Sequence, residues 1–507
     1  MQEKVVIVGA GSAGCVLANR LSASSERSVV LVEAGPDYAP DELPHDLLDG
    51  GRNSFTQHDW GYRHRPNAGQ MKFPLPRGRV VGGSSAVNTC IALRGQPEDY
   101  DAWADRGLEE WDWERCLEAF KRLETDLDYG DDPERGRWHG DSGPLPIRRH
   151  TEEELSPWQT AFVEGCRRLG YEDCPDSNEP GTRGVGPHAM NKLDGRRISA
   201  ADAWLTPPVR ARDNLSILPE TLVRRVLFDK REATGIEVEH NGEVRTIEAD
   251  RVILSAGAIN SPRILMRSGV GPSRQLEHIG VEQVAANEQI GARLLDHPGA
   301  AIFLLPKFGS GTSRNHDLIQ SVCRFSSSLS DLDNDVFMQP GAAVPIPRFS
   351  LPAVSIMIAL NKPHGSGELK FESASPTADP VIESHLLEHP KDREAAMDAL
   401  ERALEVTQTP ECQELARIIW PPVWELRDRD QLEQRVLKVC DSGYHPCGTV
   451  PMGGDDDPRA ACDGHGRVHG VEKLHVVDAS LIPEIPAANI HLTVLMIGER
   501  MSRLLAG

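Results

Sequence analysis

A glycine fingerprint near the start of the chain and a histidine near its end are the residues whose types and spacing could do chemistry. Gly9, Gly11 and Gly14 have the spacing GxGxxG, which lets a backbone turn tightly, approach a pyrophosphate and pack closely against a helix. His445 lies in the stretch DSGYHPCGT. Histidine has an unperturbed pKa of about 6.5, so it is suited to removing a proton at neutral pH. Taken alone, however, His445 is better explained as a hydrogen-bonded residue of a tight turn.

The glycines lie between elements that would position them. KVVIVG predicts a short buried strand, SAGCVLANRLSAS has the apolar spacing of a helix, and SVVLVEAG predicts a second buried strand. Glu33 ends that second strand, where a carboxylate can accept hydrogen bonds from a ribose diol. The unit therefore predicts a dinucleotide site rather than a chance glycine turn. It does not separate FAD from NAD, but the acid disfavours the 2′-phosphate of NADP.

Later segments complete the predicted architecture. DRVILSAGA, from Asp250, and KLHVVDASLIP, from Lys473, are further buried-strand candidates, so the first sheet should draw on three separated parts of the chain. Residues 300–435 contain alternating stretches such as AVSIMIAL and predict a second domain with an antiparallel sheet and helices on one side. Residues 97–125, rich in acidic residues, Trp and Arg, predict exposed helices. The predicted fold class is α/β, with an α+β second domain.

Composition limits the classes of partner. The chain has 507 residues, enough for two or three domains, and a net charge of −22, which disfavours nucleic acid and anionic membranes. No run of about 18 apolar residues predicts a membrane span, and the first strand begins without a preceding export signal. Ten scattered cysteines show no metal-binding spacing. We expect free thiols, no metal and a cytoplasmic location.

Four long segments together carry a family resemblance. They are GRVVGGSSAVNTCIALRG from Gly78, SAGAINSPRILMRSGVG from Ser255, YHPCGTVPMG, and VVDASLIPEIPAANIHLTVLMIGER. With the N-terminal fingerprint they resemble, in order and spacing, the glucose–methanol–choline (GMC) family of FAD-dependent oxidoreductases, over essentially the whole chain. The resemblance implies FAD rather than NAD. It also implies a Rossmann-like FAD-binding domain made of residues 1–150, 213–297 and 436–507, and a substrate domain made of residues 151–212 and 298–435.

The resemblance also assigns residues to the cofactor. Some family members bind the flavin covalently through a histidine that aligns with Val87, so we expect non-covalent FAD here. The residues implied in cofactor binding are Gly9, Gly11, Ser12, Ala13, Gly14, Glu33, Ala34, Ser84, Asn88, Thr89, Cys90, Ile91, Val223, Asp478, Ala479, Ile490 and His491.

The implied chemistry is oxidation of an alcohol to an aldehyde or ketone, with hydride transfer to flavin N5. An alcohol is a weak acid, so loss of its proton needs a positioned base. By resemblance His445 is that base, and Asn489 is the hydrogen-bonding partner of the substrate oxygen, with His491 as the rival. The electron acceptor, O₂ or another molecule, and the oligomeric state stay open. Alternatives are an FAD-containing hydroxynitrile lyase without redox turnover and an NAD-dependent dehydrogenase. Residues 300–360 should line the pocket of a modest primary alcohol: aryl, furan, aliphatic or sugar-like.

Overall fold

Five parallel strands form the sheet that carries the glycine fingerprint. The computed structural model describes residues 2–55, 57–328, 332–344 and 352–506. In spatial order the strands are Leu215–Leu218, Arg27–Val32, Glu3–Val8, Arg251–Leu254 and Leu474–Val476. Neighbouring strands all run parallel, so the sheet draws on three separated parts of the chain, as predicted. The α/β class is confirmed.

The central strand, Glu3–Val8, is covered on both faces, which explains its uninterrupted apolar run. The helix Ser12–Leu21 follows it and packs against the C-terminal helix Ile490–Leu504. A Cβ atom at Gly498 would come within 3.1 Å of the Cα atom of Ala13, so the absent side chain permits this close approach. The two ends of the chain are therefore packed against each other beside the fingerprint.

A second large sheet is antiparallel and has seven strands. Six of them lie in the spatial order Ala416–Trp420, Pro298–Pro306, Ala353–Leu360, Val336–Val344, Ser321–Phe325 and Gly184–Pro187, and Asp441–Ser442 pairs with the second of these. Side chains alternate between the two faces. One face packs on the helices Pro157–Arg168 and Pro390–Thr407. An antiparallel sheet with helices on one side is thus confirmed, while the exact domain boundaries stay a prediction.

A smaller antiparallel sheet, Thr221–Asp229, Glu232–His240 and Glu243–Glu248, connects two strands of the parallel sheet. The other helices of six or more residues in the described ranges are Pro97–Ala104, Trp113–Leu123, Gly257–Arg267, Ser273–His278, Pro410–Leu415 and Arg429–Val439. None of the described helices has the length and apolarity needed to cross a membrane. All ten cysteines are buried and free.

The prediction for the helices between residues 97 and 125 was wrong. They were expected to be exposed, yet the side chains of Trp103, Trp111 and Phe120 are completely buried. Trp103 donates its indole N–H to the carbonyl of Glu484, and Trp111 donates to that of Gly464. Most of the charged residues lie on the outer side of these helices, although Asp99 and Glu124 are buried. The aromatic residues attach the helices to the C-terminal part of the chain.

A group of buried ions lies next to these helices, and we call it the carboxylate cluster. It consists of Arg94, Glu124, Asp126, His139, Arg149 and Asp176. The Nδ1 atom of His139 lies 2.9 Å from Asp126 Oδ2, and its Nε2 atom lies 2.8 Å from Asp176 Oδ2. Burial alone would lower the pKa of His139, but hydrogen bonds to the three carboxylates outweigh burial and raise the pKa to about 10. Protonated His139 and two arginines therefore balance the three buried carboxylates, and the partly exposed Asp128 lies 3.2 Å from Arg149 Nη1.

Candidate active site

A cavity of about 1090 Å³ lies between the carboxyl ends of the parallel strands and the antiparallel sheet. This is where open α/β sheets place their ligands. His445 and Asn489 line this cavity. So do most of the residues expected at the cofactor, namely Gly9, Gly11, Ser12, Ala13, Glu33, Ala34, Ser84, Asn88, Thr89, Ile91, Val223, Asp478, Ala479, Ile490 and His491.

Two of the expected cofactor residues lie outside the lining. A Cβ atom at Gly14 would stand only 2.0 Å from the carbonyl oxygen of Gly9, so Gly14 serves the packing of helix on strand. The thiol of Cys90 points away from the cavity and lies 3.7 Å from Nη1 of Arg197. Any contact of these two residues with a cofactor would have to be indirect or through the backbone.

The glycines of two distant segments form one cradle. A Cβ atom at Gly11 would meet only the carbonyl oxygen of Ser255, at 3.9 Å, so protein atoms do not fill the space in front of it. A Cβ atom at Gly83 would come within 2.7 Å of the Cα atom of Gly11, so that the segment from Gly78 presses directly against the fingerprint. The helix that begins at Ser12 directs its free N–H groups to the same space. The cradle therefore fits a pyrophosphate.

Glu33 stands at the end of the cradle where a ribose is expected. Its Oε2 accepts a hydrogen bond from the Ala10 N–H at 3.0 Å, and its Oε1 accepts one from the Gly35 N–H at 2.9 Å. Burial raises the pKa of Glu33 to about 7. Each carboxylate oxygen keeps a lone pair, so a ribose diol could donate to both and stabilise the ionised form.

Asp478 holds loops together. Its Oδ2 accepts hydrogen bonds from the Ser261 hydroxyl at 2.5 Å and the Gly257 N–H at 2.9 Å. Its Oδ1 accepts from both the hydroxyl and the N–H of Ser480. Four donors occupy this carboxylate, so a cofactor would meet mainly the backbone beside it.

The catalytic candidates form a chain of hydrogen bonds that contains a third residue, His297. The Nδ2 atom of Asn489 lies 3.0 Å from His445 Nε2, and His445 Nδ1 lies 3.0 Å from His297 Nδ1. His297 Nε2 lies 3.1 Å from the carbonyl oxygen of Pro486. His445 and Asn489 line the cavity, whereas His297 and Pro486 lie behind them.

This chain assigns the protons. The carbonyl of Pro486 can only accept, so His297 carries its proton on Nε2. Burial lowers the pKa of His297 to about 4, so the ring is neutral and its Nδ1 is an acceptor. His445 must then donate from Nδ1, which leaves a lone pair on Nε2. Burial, helped by the positive charge of Arg77, holds the pKa of His445 well below its usual value. His445 is therefore a neutral base whose free nitrogen meets Asn489.

One carboxylate fixes the backbone of both histidines. Asp296 Oδ1 accepts a hydrogen bond from the His445 N–H at 2.9 Å and from the His297 N–H at 2.8 Å. Tyr444, just before His445, has a φ of +65°, a left-handed conformation that costs a non-glycine residue about 1 kcal/mol. Pro446 follows and restricts His445 to extended backbone geometry. The residues before and after His445 therefore both restrict its backbone, and with it the direction of the imidazole.

Asn489 and His491 differ in their contacts. Asn489 is the residue before the C-terminal helix, but its side chain makes no capping hydrogen bond. Its amide bonds to His445, and its Oδ1 is buried without a partner. His491 lines the cavity with an unpartnered Nε2, and burial lowers its pKa to about 4. Of the two, only Asn489 is hydrogen-bonded to His445.

Sequence reasoning missed His297. Its one signal is the dipeptide His297–Pro298, which repeats the pattern of His445–Pro446. That signal is not sufficient, because His389–Pro390 has the same pattern, yet His389 stacks on His364 and has no contact with His445.

Family comparisons agree with this geometry. Models described as GMC oxidoreductase match residues 3–299 and 363–498. The chain belongs to the GMC oxidoreductase family. It is 33% identical to a 5-(hydroxymethyl)furfural oxidase from Methylovorus sp., over 98% of this chain and 97% of that protein. It is 32% identical to an oxygen-dependent choline dehydrogenase from Rhizobium etli, over 99% of this chain and 95% of that protein.

A solved structure extends the likeness to three dimensions. Pyridoxine 4-oxidase from Mesorbium loti superimposes with a TM-score of 0.89 at 31% identity, covering 100% of this chain and 99% of that one. GMC oxidoreductases bind FAD, and this chain is an FAD-dependent enzyme of that family that acts on alcohols.

Proposed function

We propose that this GMC oxidoreductase oxidises a primary alcohol to an aldehyde, with His445 as the base and Asn489 as the partner of the substrate oxygen. The observation that carries the proposal is the hydrogen-bond chain from Pro486 through His297, which leaves a lone pair on His445 Nε2 inside the cavity. The names of the relatives support the substrate class, since choline, 5-(hydroxymethyl)furfural and pyridoxine are all alcohols.

The protein residues handle the proton. When bound, FAD supplies the acceptor for the hydride that leaves the carbinol carbon. As the C–O bond becomes a C=O bond, the hydroxyl proton passes to Nε2 of His445. The acceptor nitrogen of His297 keeps the resulting imidazolium hydrogen-bonded through Nδ1. The substrate thus loses one hydride and one proton, and no further co-reactant is needed for this half of the reaction.

Asn489 has the groups to hold the oxygen. Its amide nitrogen carries two hydrogens, of which one is bonded to His445 and the other has no acceptor among the described residues. An alcohol that donates to His445 Nε2 would replace that contact and receive an N–H from the same amide. A donor fixed before the reaction stabilises negative charge that develops on the oxygen.

An anaerobic titration tests the proposal. Purified holoenzyme is mixed with primary alcohols under nitrogen, and we expect loss of the flavin absorbance near 450 nm together with one aldehyde per flavin. Admission of air then identifies the acceptor, because rapid return of the colour with peroxide indicates O₂. Failure of every alcohol in a broad screen to bleach the flavin would overturn the proposal and favour non-redox use of FAD.

We also propose that the FAD is held without a covalent bond. The side chain of Val87, which aligns with the histidine attachment site of some relatives, lines the cavity and offers no nucleophile. Acid precipitation should release all yellow colour into the supernatant, and a yellow pellet would contradict this.

A further inference from the structure

Arg267 is a partly buried cation that lines the cavity. It is the last residue of its helix, and Ile264, one turn earlier on the same face, lines the cavity as well. The Nε atom of Arg267 donates a hydrogen bond to the carbonyl oxygen of Arg224 at 2.7 Å, and its Nη2 atom donates to that of Val223 at 3.1 Å. Two backbone carbonyls of one strand therefore fix the guanidinium at the wall of the cavity.

The positive charge of Arg267 has no carboxylate partner among the described residues. The neighbouring Arg224, by contrast, pairs with Glu237 and Glu239. Burial, together with the charges of Arg263 and Arg224, lowers the pKa of Arg267 to about 9, so the guanidinium is still charged at neutral pH. Its third nitrogen, Nη1, has no acceptor in the described part of the chain and is not enclosed by protein atoms. The cavity thus contains a fixed cation that a ligand could satisfy.

Hydrogen bonds order the groups along the cavity from the glycine cradle to Arg267. Glu33, where a ribose is expected, accepts from the Ala10 N–H at the cradle. The carbonyl oxygen of Glu33 accepts from the Thr221 N–H at 2.8 Å. Thr221 begins the strand in which Val223, two residues later, accepts from Arg267. Because phosphate and base leave a ribose on different carbon atoms, a dinucleotide whose pyrophosphate fills the cradle would extend its adenine past Glu33 towards Arg267.

The surroundings of Arg267 suit a flat, neutral ring better than a further phosphate. Leu222 and Ile264, both aliphatic, line the cavity and belong to the strand and the helix that hold the guanidinium. Arg224 and Arg263 do not line the cavity, so a phosphate would find a single cation here. A guanidinium is planar and weakly hydrated, and it stacks on aromatic rings as well as donating hydrogen bonds. Adenine has both a π face and ring nitrogens that accept hydrogen bonds.

We infer that Arg267 is a cofactor-binding residue whose guanidinium contacts the adenine ring of FAD. The adenine would offer electron density to a cation that no described carboxylate neutralises. Sequence reasoning did not include Arg267, because an arginine in the last turn of a helix is common. The inference concerns how FAD is held and is independent of the alcohol oxidation proposed above.

The affinity for two flavins tests the inference without turnover. Holoenzyme is diluted until the flavin dissociates, and the rise of flavin fluorescence gives the dissociation constant of FAD. The measurement is repeated after exchange of FAD for FMN, which has the flavin and a phosphate but no adenosine. We expect Arg267→Met to raise the dissociation constant of FAD about tenfold and that of FMN less than about twofold. Arg225→Met, on the same strand but with an exposed side chain, should change neither constant.

A conservative variant separates the flat group from its charge. Arg267→Lys keeps the charge but loses the planar fork, and it should weaken FAD binding about threefold. An unchanged dissociation constant of FAD in Arg267→Met would overturn the inference, as would an equal loss for FMN, which would indicate a general change of the fold. Full recovery in Arg267→Lys would also contradict it, since charge alone would then be sufficient. Where Arg267→Met yields no folded holoenzyme, the ratio of the FAD and FMN constants in Arg267→Lys decides the question.

Discussion

His139 in the carboxylate cluster and His445 in the cavity are both buried, but their surroundings drive protonation in opposite directions. Three carboxylates hold the pKa of His139 near 10, and two arginines offset the charge that remains on these carboxylates. In the described ranges, the side-chain hydrogen-bond partners of His445 are the neutral His297 and the amide of Asn489, so burial lowers its pKa. Burial therefore favours the uncharged ring, and only direct carboxylate contacts reverse this. The cluster keeps its proton for stability, while the cavity keeps a lone pair for chemistry.

Removing the free base should have the largest effect. His445→Ala is expected to lower the rate constant of anaerobic flavin reduction by about 10²- to 10⁴-fold, since general-base catalysis contributes that much. Stopped-flow absorbance measures the rate, and the flavin spectrum verifies that FAD is retained. His278→Ala, a change on the exposed surface, is the control. A loss below tenfold would mean that His445 is not the base.

Removing the protonated His139 should lower the stability of the folded protein but leave the rate of flavin reduction unchanged. His139→Gln leaves three carboxylates facing two arginines and is expected to lower the free energy of unfolding by about 3 kcal/mol. Denaturant unfolding of the holoenzyme measures it, and the rate of flavin reduction serves as the control.

The pH dependence of that loss has a defined sign. A pKa raised to about 10 in the folded protein contributes stability that is complete below the unfolded value of about 6.5 and is lost as the pH rises towards 10. The difference between wild type and His139→Gln should shrink across this range. A constant difference would show that His139 is not protonated in the cluster.

A smaller effect is expected from the acceptor behind the base. His297→Leu removes the partner of His445 Nδ1 and should slow flavin reduction about tenfold, with little change in KM. His297→Asn offers an oxygen close to the position of Nδ1 and should recover most of the rate. Equal loss in both variants would argue against the hydrogen bond as the cause.

The smallest expected change is in the pH profile of the wild type. The proposed role of His445 requires its unprotonated form, and burial lowers its pKa well below the usual 6.5. The rate constant of flavin reduction should therefore vary less than about twofold from pH 8 down to 6.5 and decline only at lower pH. If the rate constant instead falls to half its maximum at pH 6.5 or above, the pKa of His445 is not lowered, and the contrast with His139 is wrong.

Local sequence patterns predicted the sheets, because each depends on a periodicity that the chain displays. Buried parallel strands have continuous apolar runs. In the antiparallel strand AVSIMIAL, successive side chains face the helices and the cavity in turn. Residues from 300 to 360 do line the cavity, as expected, although 345–351 lie outside the described residues. The spacing of the glycines was enough to predict the cradle, whereas Asn489 was identified only from the resemblance to the family.

The remaining features depend on contacts between distant residues. His297 and His445 are 148 positions apart, and no spacing rule connects them. In the carboxylate cluster, Glu124 belongs to the stretch 97–125 that was predicted to be exposed, because the sequence does not show which of its charged residues are buried. The side chains of His188 and Gln339 also contact each other, although these residues are 151 positions apart in the sequence.

The packing of the chain's two ends has a consequence for biosynthesis. The fingerprint is synthesised long before its partners, because its helix, Ser12–Leu21, packs on Ile490–Leu504, and the edge strand Leu474–Val476 of its sheet is also made late. A nascent chain that ends before residue 470 lacks both of these elements and the amide of Asn489. Flavin capture should therefore be a post-translational event, and cellular FAD supply would act on completed chains rather than on growing ones.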